Sequence, residues 1–487
     1  MAIATLQQLT DVLPGSEFAG AKGSGRRKIS GISTDTRSLK KGEAFLALRG
    51  ENFDGHDFIK EAAAKGAQCA VVDADWYLLN RRKKHALPLV VVRDTLLAYG
   101  AIAGAHRRSF DIPVIAVAGS VGKTSTKNLI AEVLATKYTV LSTRGNLNNR
   151  IGVPATLMGL TKKHQVAVIE IGTNMPGEIA ALCRIVQPTH GLITNIGREH
   201  LEKLGSVDGV TEEEGTLFRW MAENGGVPVV NIDDPILAKE FADLPNRITC
   251  GRTKRADYQI KVGRLNEVGG PLVEVISHRR KSEKPFSAQL NMPGKHTAYA
   301  AMFAGAVGFL LGVPRTKIRQ ALEAYTPHVD QSGGYARLAM LHLPDGGRVL
   351  NDTYNANPES TLAALQTLSE MKVGRKGKRI AVLSDMGELG KHAVAEHESI
   401  GRTIAGMEKI DVVMFFGRNM RRAYEAIALA DKPAGVMSFF FRKKEKLLRV
   451  LNHLRSAHDV VLVKGSRSMK MEEVVKGMIQ EAETGSE

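Results

Sequence analysis

Apolar residues recur along this chain in two rhythms, short continuous runs and stretches spaced at three and four, alternating in the order a wound α/β sheet requires. Ala44-Phe-Leu-Ala-Leu48 and Ala70-Val-Val72 read as strands and Asp57 to Lys65 as a helix, a small mixed unit over residues 1–110 closed by a polar stretch, Ala105 to Pro113. The run Val114-Ile-Ala-Val-Ala118 then enters a glycine-rich turn and a helix-prone segment, Lys123 to Thr136. Further buried-strand patterns at Val166–Ile171, Leu192–Asn195 and Val227–Ile232 predict a largely parallel sheet for residues 111–328. The pattern restarts with Arg348-Val-Leu, Arg379-Ile-Ala-Val-Leu383, Val412–Phe416 and Val460–Val463, spaced by helical segments. That predicts a Rossmann-like doubly wound unit over residues 329–487, and no internal repeat is visible. The expected fold class is α/β in three domains, with a phosphate-loop parallel-sheet domain in the centre.

A chain of 487 residues is too long for one core, and about 100–200 residues per domain agrees with three. Lys plus Arg number 67 against 51 Asp plus Glu, a formal charge of +16 that favours anionic partners such as nucleotides, nucleotide sugars or nucleic acid. The basic runs Arg81-Arg82-Lys83-Lys84 and Arg442-Lys443-Lys444 lack interleaved aromatics, and aromatics make up only 5% of the chain. Without a stacking platform, nucleic acid is not the expected partner. Cys69, Cys183 and Cys250 stand far apart, with no spacing that suggests zinc or a redox couple. The start, Met1-Ala-Ile-Ala-Thr-Leu-Gln-Gln-Leu-Thr10, lacks the charge and apolar run of a leader, and no stretch reaches the ~18–20 apolar residues of a membrane span. A cytoplasmic monomer is expected.

Gly119-Ser120-Val121-Gly122-Lys123-Thr124-Ser125 follows a strand and opens a helix, the context that makes such a loop a phosphate site. Its amides and the helix N-terminus would cradle phosphate oxygens, Lys123 would add a charge and Thr124 a hydroxyl for magnesium. The longer form of the loop has a glycine at 117, where Val117 stands. The plainer alternative is a glycine-rich helix cap. Glu170 ends an apolar strand and His200 follows the next one, so both fall at the carboxyl edge of the sheet, where ligands of open α/β sheets bind. A carboxylate and an imidazole there suit magnesium ions bridging ATP phosphates; a structural histidine and a solvated Glu202 are the alternatives.

Together the loop, Glu170-Ile-Gly-Thr-Asn174 and Glu199-His200-Leu-Glu202 resemble the Mur ligase family, which adds amino acids to peptidoglycan precursors. Asn146-Leu-Asn-Asn149-Arg-Ile-Gly-Val-Pro154, Asp352-Thr-Tyr-Asn-Ala-Asn357-Pro, Ser384-Asp-Met-Gly-Glu-Leu-Gly390 and Lys464-Gly-Ser-Arg467 are similar to members that join D-alanyl-D-alanine to a UDP-N-acetylmuramoyl tripeptide. Asp35-Thr36-Arg37, Gly50 and Asp54-Gly-His56 are similar to the family's UDP-holding domain. The resemblance implies an ATP- and Mg2+-dependent ligase working through an acyl phosphate, with Lys123, Glu170 and His200 catalytic. It implies Thr124, Glu170 and His200 as metal ligands, and His296, Arg337 and Asp352 beside the loop as further ATP contacts. Thr36, Arg37, Asn148, Asn149, Asn355, Asn357, Lys464 and Arg467 become the substrate-binding candidates. Plainer roles stand beside these: a surface Arg337, turn-forming Asn355 and Asn357, a helix cap at Lys464 and Arg467.

The chain departs from the family in three places. Where many members carry a carbamylated lysine, Glu214 stands; at a usual pKa of about 4.3 it supplies an anion outright, as a fourth metal ligand or as part of a solvated Glu212-Glu213-Glu214 run. The family's adenine-contacting asparagines are replaced by Thr297 and Ala300, which relaxes the expected base selectivity, and its paired aspartates shrink to Asn351-Asp352. Rival readings are another Mur-type or folylpolyglutamate-type ligase, a basic phosphate-loop ATPase acting on nucleic acid, and a lapsed binding protein.

Overall fold

The computed structural model describes residues 5–484 apart from 14, 20–25, 51–52, 280–282, 328–331, 333 and 431–434. The first four residues of the segment read as lacking a leader, and the predicted boundary between 328 and 329, lie outside the described residues.

Five short strands make the first sheet: β1 (Glu17–Ala19), β2 (Ile32–Ser33), β3 (Ala44–Leu46), β4 (Cys69–Asp73) and β5 (Leu89–Val92), in the order β1-β5-β4-β3-β2 with only β1 antiparallel. The second sheet has nine, β6 (Val114–Ala118), β7 (Val140–Ser142), β8 (Val166–Glu170), β9 (His190–Ile193), β10 (Val227–Asn231), β11 (Ile248–Gly251), β12 (Tyr258–Leu265), β13 (Pro271–Ser277) and β14 (Phe286–Gln289). Their order is β14-β13-β12-β11-β10-β9-β6-β8-β7, parallel up to β12 and antiparallel through the β12–β14 edge. The third holds β15 (Ala339–His342), β16 (Arg348–Asp352), β17 (Arg379–Ser384), β18 (Val412–Phe416), β19 (Met437–Phe441) and β20 (Val460–Lys464), ordered β15-β16-β20-β17-β18-β19 with β15 alone antiparallel. The α/β class and the predicted Rossmann-like C-terminal sheet are therefore observed.

Central strands form where apolar runs are continuous, because helices cover both faces of a parallel sheet. Every residue of β6 and β8 is buried, including the Glu170 that ends β8. Val117 lies within β6, opposite Glu170 of β8 and Leu192 of β9. The strand thus runs one residue past the point where a longer loop would begin, which is why the glycine loop is short.

The stretch Ala105–Pro113, read as a polar close to the first unit, instead begins as the last turn of a helix, Thr95–Arg108, with His106 and Arg107 buried. Arg107 donates to the carbonyls of Val186, Gln187, Phe110 and Ile112, and the helix packs against Gly152–Leu157 and Glu178–Val186 of the central unit. Long basic side chains read as polar in sequence, yet a guanidinium with several carbonyl acceptors is satisfied when buried.

Between the central and C-terminal sheets the segment 197–205 makes the bridge. Arg198 forks to Glu359 at 2.7 Å and Glu396 at 2.8 Å, its own amide donates to Glu359, and the Glu202 amide donates to the Glu388 carbonyl. Residues 199 and 200 on this bridge stand beside the phosphate loop.

Candidate active site

One cavity of about 710 Å3 opens between the central and C-terminal sheets. Its wall includes Ser120 to Thr126, Glu170, Glu199 and His200 from the central unit, and Arg337, Asp352, Tyr354 and Lys464 from the C-terminal one.

The loop is shaped from below. Gly119 has φ +110, and a Cβ there would lie 2.4 Å from Thr194 Oγ1, so only glycine fits. The Gly119 amide donates to Glu214 Oε2 at 2.8 Å, the Ser120 amide to the Asn195 carbonyl, and the Val121 amide to Asn195 Oδ1 at 2.9 Å. The helix Lys123–Ala135 follows, and the first four amides of a helix have no acceptor within it. The Thr126 amide is the first to find one, the Gly122 carbonyl, so those of residues 122–125 face a cavity suited to an anion.

Lys123 Nζ is hydrogen-bonded to the Gly119 carbonyl and lies 3.4 Å from Glu199 Oε2. Burial disfavours its charge, but Glu199, Glu214 and Glu170 outweigh that and raise its pKa. Around it, Thr124 Oγ1, Glu170 Oε2, Glu199 Oε1 and Glu214 Oε1 are buried without a hydrogen-bond partner. Unsatisfied buried oxygens are costly, and a set of hard oxygen donors suits Mg2+ rather than zinc or iron. Among the described residues no three His, Cys, Asp or Glu side chains converge to hold a metal by themselves.

His200 has φ +50, a backbone state non-glycine residues seldom adopt, and this aims its ring between two carboxylates. Nδ1 lies 2.5 Å from Glu388 Oε2 and Nε2 3.7 Å from Glu199 Oε2. Burial works against protonation, yet the hydrogen bond that the ring donates to Glu388 and the two nearby carboxylate charges raise its pKa. With a proton held at Nδ1 by Glu388, Nε2 is left for a ligand.

Asn148 donates to Glu170 Oε1 at 2.8 Å, and Asn149 Oδ1 accepts from the Ile151 and Gly152 amides where the helix Gly152–Leu157 begins; both line the cavity. Asn357 lines it too, and caps Pro358–Glu370 in a reciprocal pair with Ser360. Asn355 stands in the wall while its carbonyl accepts from Lys464 at 2.8 Å. His296 also borders the cavity, and burial pushes its pKa down to about 4, so it is neutral there.

Several expectations need correction. Glu214 is wholly buried and outside the cavity wall, holding the loop through the Gly119 amide; with Glu213 also buried, only Glu212 of the run is exposed. Burial raises the Glu214 carboxyl to about 7 against the pull of Lys123. Lys464 spends its ammonium on Asp352 Oδ2 at 2.6 Å, which also occupies Asp352. Arg467 stays off the wall, 2.8 Å from Glu472 Oε1. Thr36 and Arg37 are not brought to the cavity: Thr36 is buried and Arg37 pairs with Asp35 at 2.6 Å. The Thr297 hydroxyl donates to the Gly294 carbonyl at 2.6 Å, so it does not take the place of an amide facing a base. Sequence reasoning missed Glu199, Glu388 and the buried Lys127, whose ammonium donates to the Thr143 carbonyl at 2.6 Å. Only Glu199 had a signal, its place next to His200.

Fold and cavity together define a phosphate-loop nucleotide-binding α/β protein whose site is completed by a separate C-terminal sheet. Residues 117–308 match the Mur ligase middle domain, 336–467 the Mur ligase glutamate ligase domain, and 28–107 the Mur ligase family catalytic domain. The chain belongs to the Mur ligase family. It is 34% identical to UDP-N-acetylmuramoyl-tripeptide–D-alanyl-D-alanine ligase of Bacillus subtilis, over 93% of each chain. The Escherichia coli enzyme of the same name is 34% identical over 98% of this chain and 99% of that one. Among solved structures, MurF from Acinetobacter baumannii superposes with a TM-score of 0.84 at 31% identity, covering 98% and 99% of the two chains. MurF ligase from Thermotoga maritima in complex with ADP gives 0.78 at 26% identity, covering 93% and 98%.

Proposed function

We propose that this chain is an ATP-dependent ligase that joins D-alanyl-D-alanine to a UDP-N-acetylmuramoyl tripeptide through an acyl phosphate. The observation that carries the reading is the cavity wall itself, where Lys123 and Arg337 face unpaired oxygens of Thr124, Glu170 and Glu199. The near full-length similarity to enzymes of that name supplies the substrates.

The free amides at the start of helix Lys123–Ala135 and the Lys123 ammonium would hold the ATP phosphates, and Arg337, from the C-terminal side, would reach the same charge. Thr124 and Glu170 would hold one Mg2+ and His200 another, with Glu199 available to either. Bound there, Mg2+ offsets the repulsion between two anions, the tripeptide carboxylate and the γ-phosphate. A carboxylate oxygen forms a bond to the γ-phosphorus as the bond to ADP breaks. The dipeptide amine, having lost a proton, then attacks the acyl carbon and phosphate leaves. The two sheets enclosing the cavity keep water from the acyl phosphate. Thr36 and Arg37, distant from the cavity wall, fit the UDP end of a long substrate. ATP and a nucleotide-linked tripeptide are intracellular compounds, so a cytoplasmic location goes with this reading; among the described residues no helix is long and apolar enough to cross a membrane.

The test is phosphate release from Mg-ATP with the tripeptide nucleotide, with and without D-alanyl-D-alanine. Release that needs both, with a product heavier by the dipeptide less water, is expected. Turnover with a different amine would replace the second substrate, and no turnover with any muramoyl acceptor would overturn the assignment.

A further inference from the structure

Arg337 lines the cavity with its guanidinium in neither a hydrogen bond nor an ion pair with any described residue. Its charge is felt by Lys123, whose protonation it opposes, so it stands with that lysine over the phosphate position. A long, exposed side chain with no polar partner among the described residues has many rotamers open to it. What holds this one is aromatic: its guanidinium carbon sits 3.9 Å over the Tyr354 ring. Tyr354 in turn lies 5.6 Å from the Tyr335 ring at an interplanar angle of 52°. On Tyr335 rests a second guanidinium, Arg467, 4.5 Å from the ring centre, anchored by Glu472 at 2.8 Å.

We propose that Arg467, Tyr335 and Tyr354 form a stack that positions Arg337 toward the transferred phosphate, with Tyr335 and Arg467 acting only through it. This rests on the reading of the cavity as an ATP site. The frame beneath the stack is fixed at three points: the Tyr354 amide donates to the Ala336 carbonyl, Asn351 Nδ2 to the Gly334 carbonyl at 2.8 Å, and the Leu338 amide to Asp352 Oδ1 at 3.0 Å. Leu338 has φ +49, and such a strained state persists only where its surroundings over-determine it. The backbone is therefore set, and the rings decide where the guanidinium goes. Each stacked cation gains from a ring face by an amount that grows as water is excluded, so the hold on Arg337 tightens as the cavity fills. The stack also explains an otherwise costly feature, a tyrosine 55% exposed at the edge of the site.

The experiment compares Tyr335→Leu, Tyr335→Phe and Arg467→Gln in the full chain, each with and without Arg337→Ala. Titration with ATP by calorimetry is the first readout, steady-state phosphate release the second and melting temperature the third. Tyr335→Leu and Arg467→Gln are expected to raise the Kd and KM for ATP about fivefold, on the order of 1 kcal/mol, without moving the KM for the tripeptide or the melting temperature. Tyr335→Phe keeps the ring and stays within about twofold of the parent. In the Arg337→Ala background the same changes have less than about a twofold effect, because coupled residues are not additive. Equal losses in both backgrounds, or an unchanged Kd in Tyr335→Leu, overturn the stack. No ATP binding by the unaltered chain overturns the reading of the site instead.

Discussion

A single side chain, Glu214, shows how burial redirects a residue. Where the family resemblance implies a carbamylated lysine, the shorter Glu214 reaches the Gly119 amide and stops beneath the loop. Its second oxygen is unpaired, and burial raises its pKa to about 7 while the nearby charge of Lys123 pulls it down. Because the anion comes from the chain itself, turnover in carbon-dioxide-depleted buffer should change by less than about twofold on adding bicarbonate; marked stimulation would contradict this. Glu214→Gln keeps an acceptor for Gly119 and removes the charge, so turnover should fall roughly tenfold with the fold intact. Glu214→Leu leaves the amide unpaired and should also cost about 1–3 kcal/mol of stability, read by urea denaturation.

At the scale of elements, the bridge 197–205 matters more than its length suggests. Arg198 ties the start of helix Pro358–Glu370 to helix Ala393–Ala405 through Glu359 and Glu396, and its neighbours Glu199 and His200 line the cavity. Arg198→Ala should lower kcat about tenfold, leave ATP affinity nearly unchanged and enlarge the radius of gyration measured by X-ray scattering; a fall in ATP affinity alone would assign the fork to the loop instead. What was legible in the sequence follows from range. The phosphate loop, Glu170 and His200 could be read because each sits at the end of an apolar run whose place in a parallel sheet is nearly forced. The antiparallel β12–β14 edge was not, since β12 loses its alternation after three buried residues and carries charges and a glycine from there on. Nor were Glu388 and Glu359, which meet the site from another sheet, well over a hundred residues away in the chain. The Asp352–Lys464 pair was hidden for the same reason: both are chemically suited to a ligand, and only the parallel register of β16 with β20 brings them face to face.

Across the whole molecule, four histidines are held neutral chiefly by burial. His106, His190, His296 and His397 all have lowered pKa values, while His200 alone among the shifted histidines is raised. Below the unfolded value near 6.5, the unfolded chain takes up protons that the folded chain refuses at four sites. Their contribution is present above that pH and drains away as it falls; His200 acts in the opposite sense, contributing at low pH and losing it as pH rises through its folded value. Glu214, raised to about 7 by burial, acts in the same sense as His200; four outweigh two, so the melting temperature should be lower at pH 5.2 than at pH 7.0, by roughly 2–4 °C. A flat profile would mean that these rings reach water. The helix Thr95–Arg108 bears on a different matter, where the chain can be cut. Arg107 closes carbonyls at the end of Glu178–Val186, and Gly100 admits Ile185 from the same helix so closely that a Cβ would lie 2.7 Å away. A fragment begun at residue 111 would lose this whole buttress and leave an apolar trench along its flank. A separately expressed catalytic piece has to start before Asp94, carrying with it a helix that the sequence assigns to its neighbour.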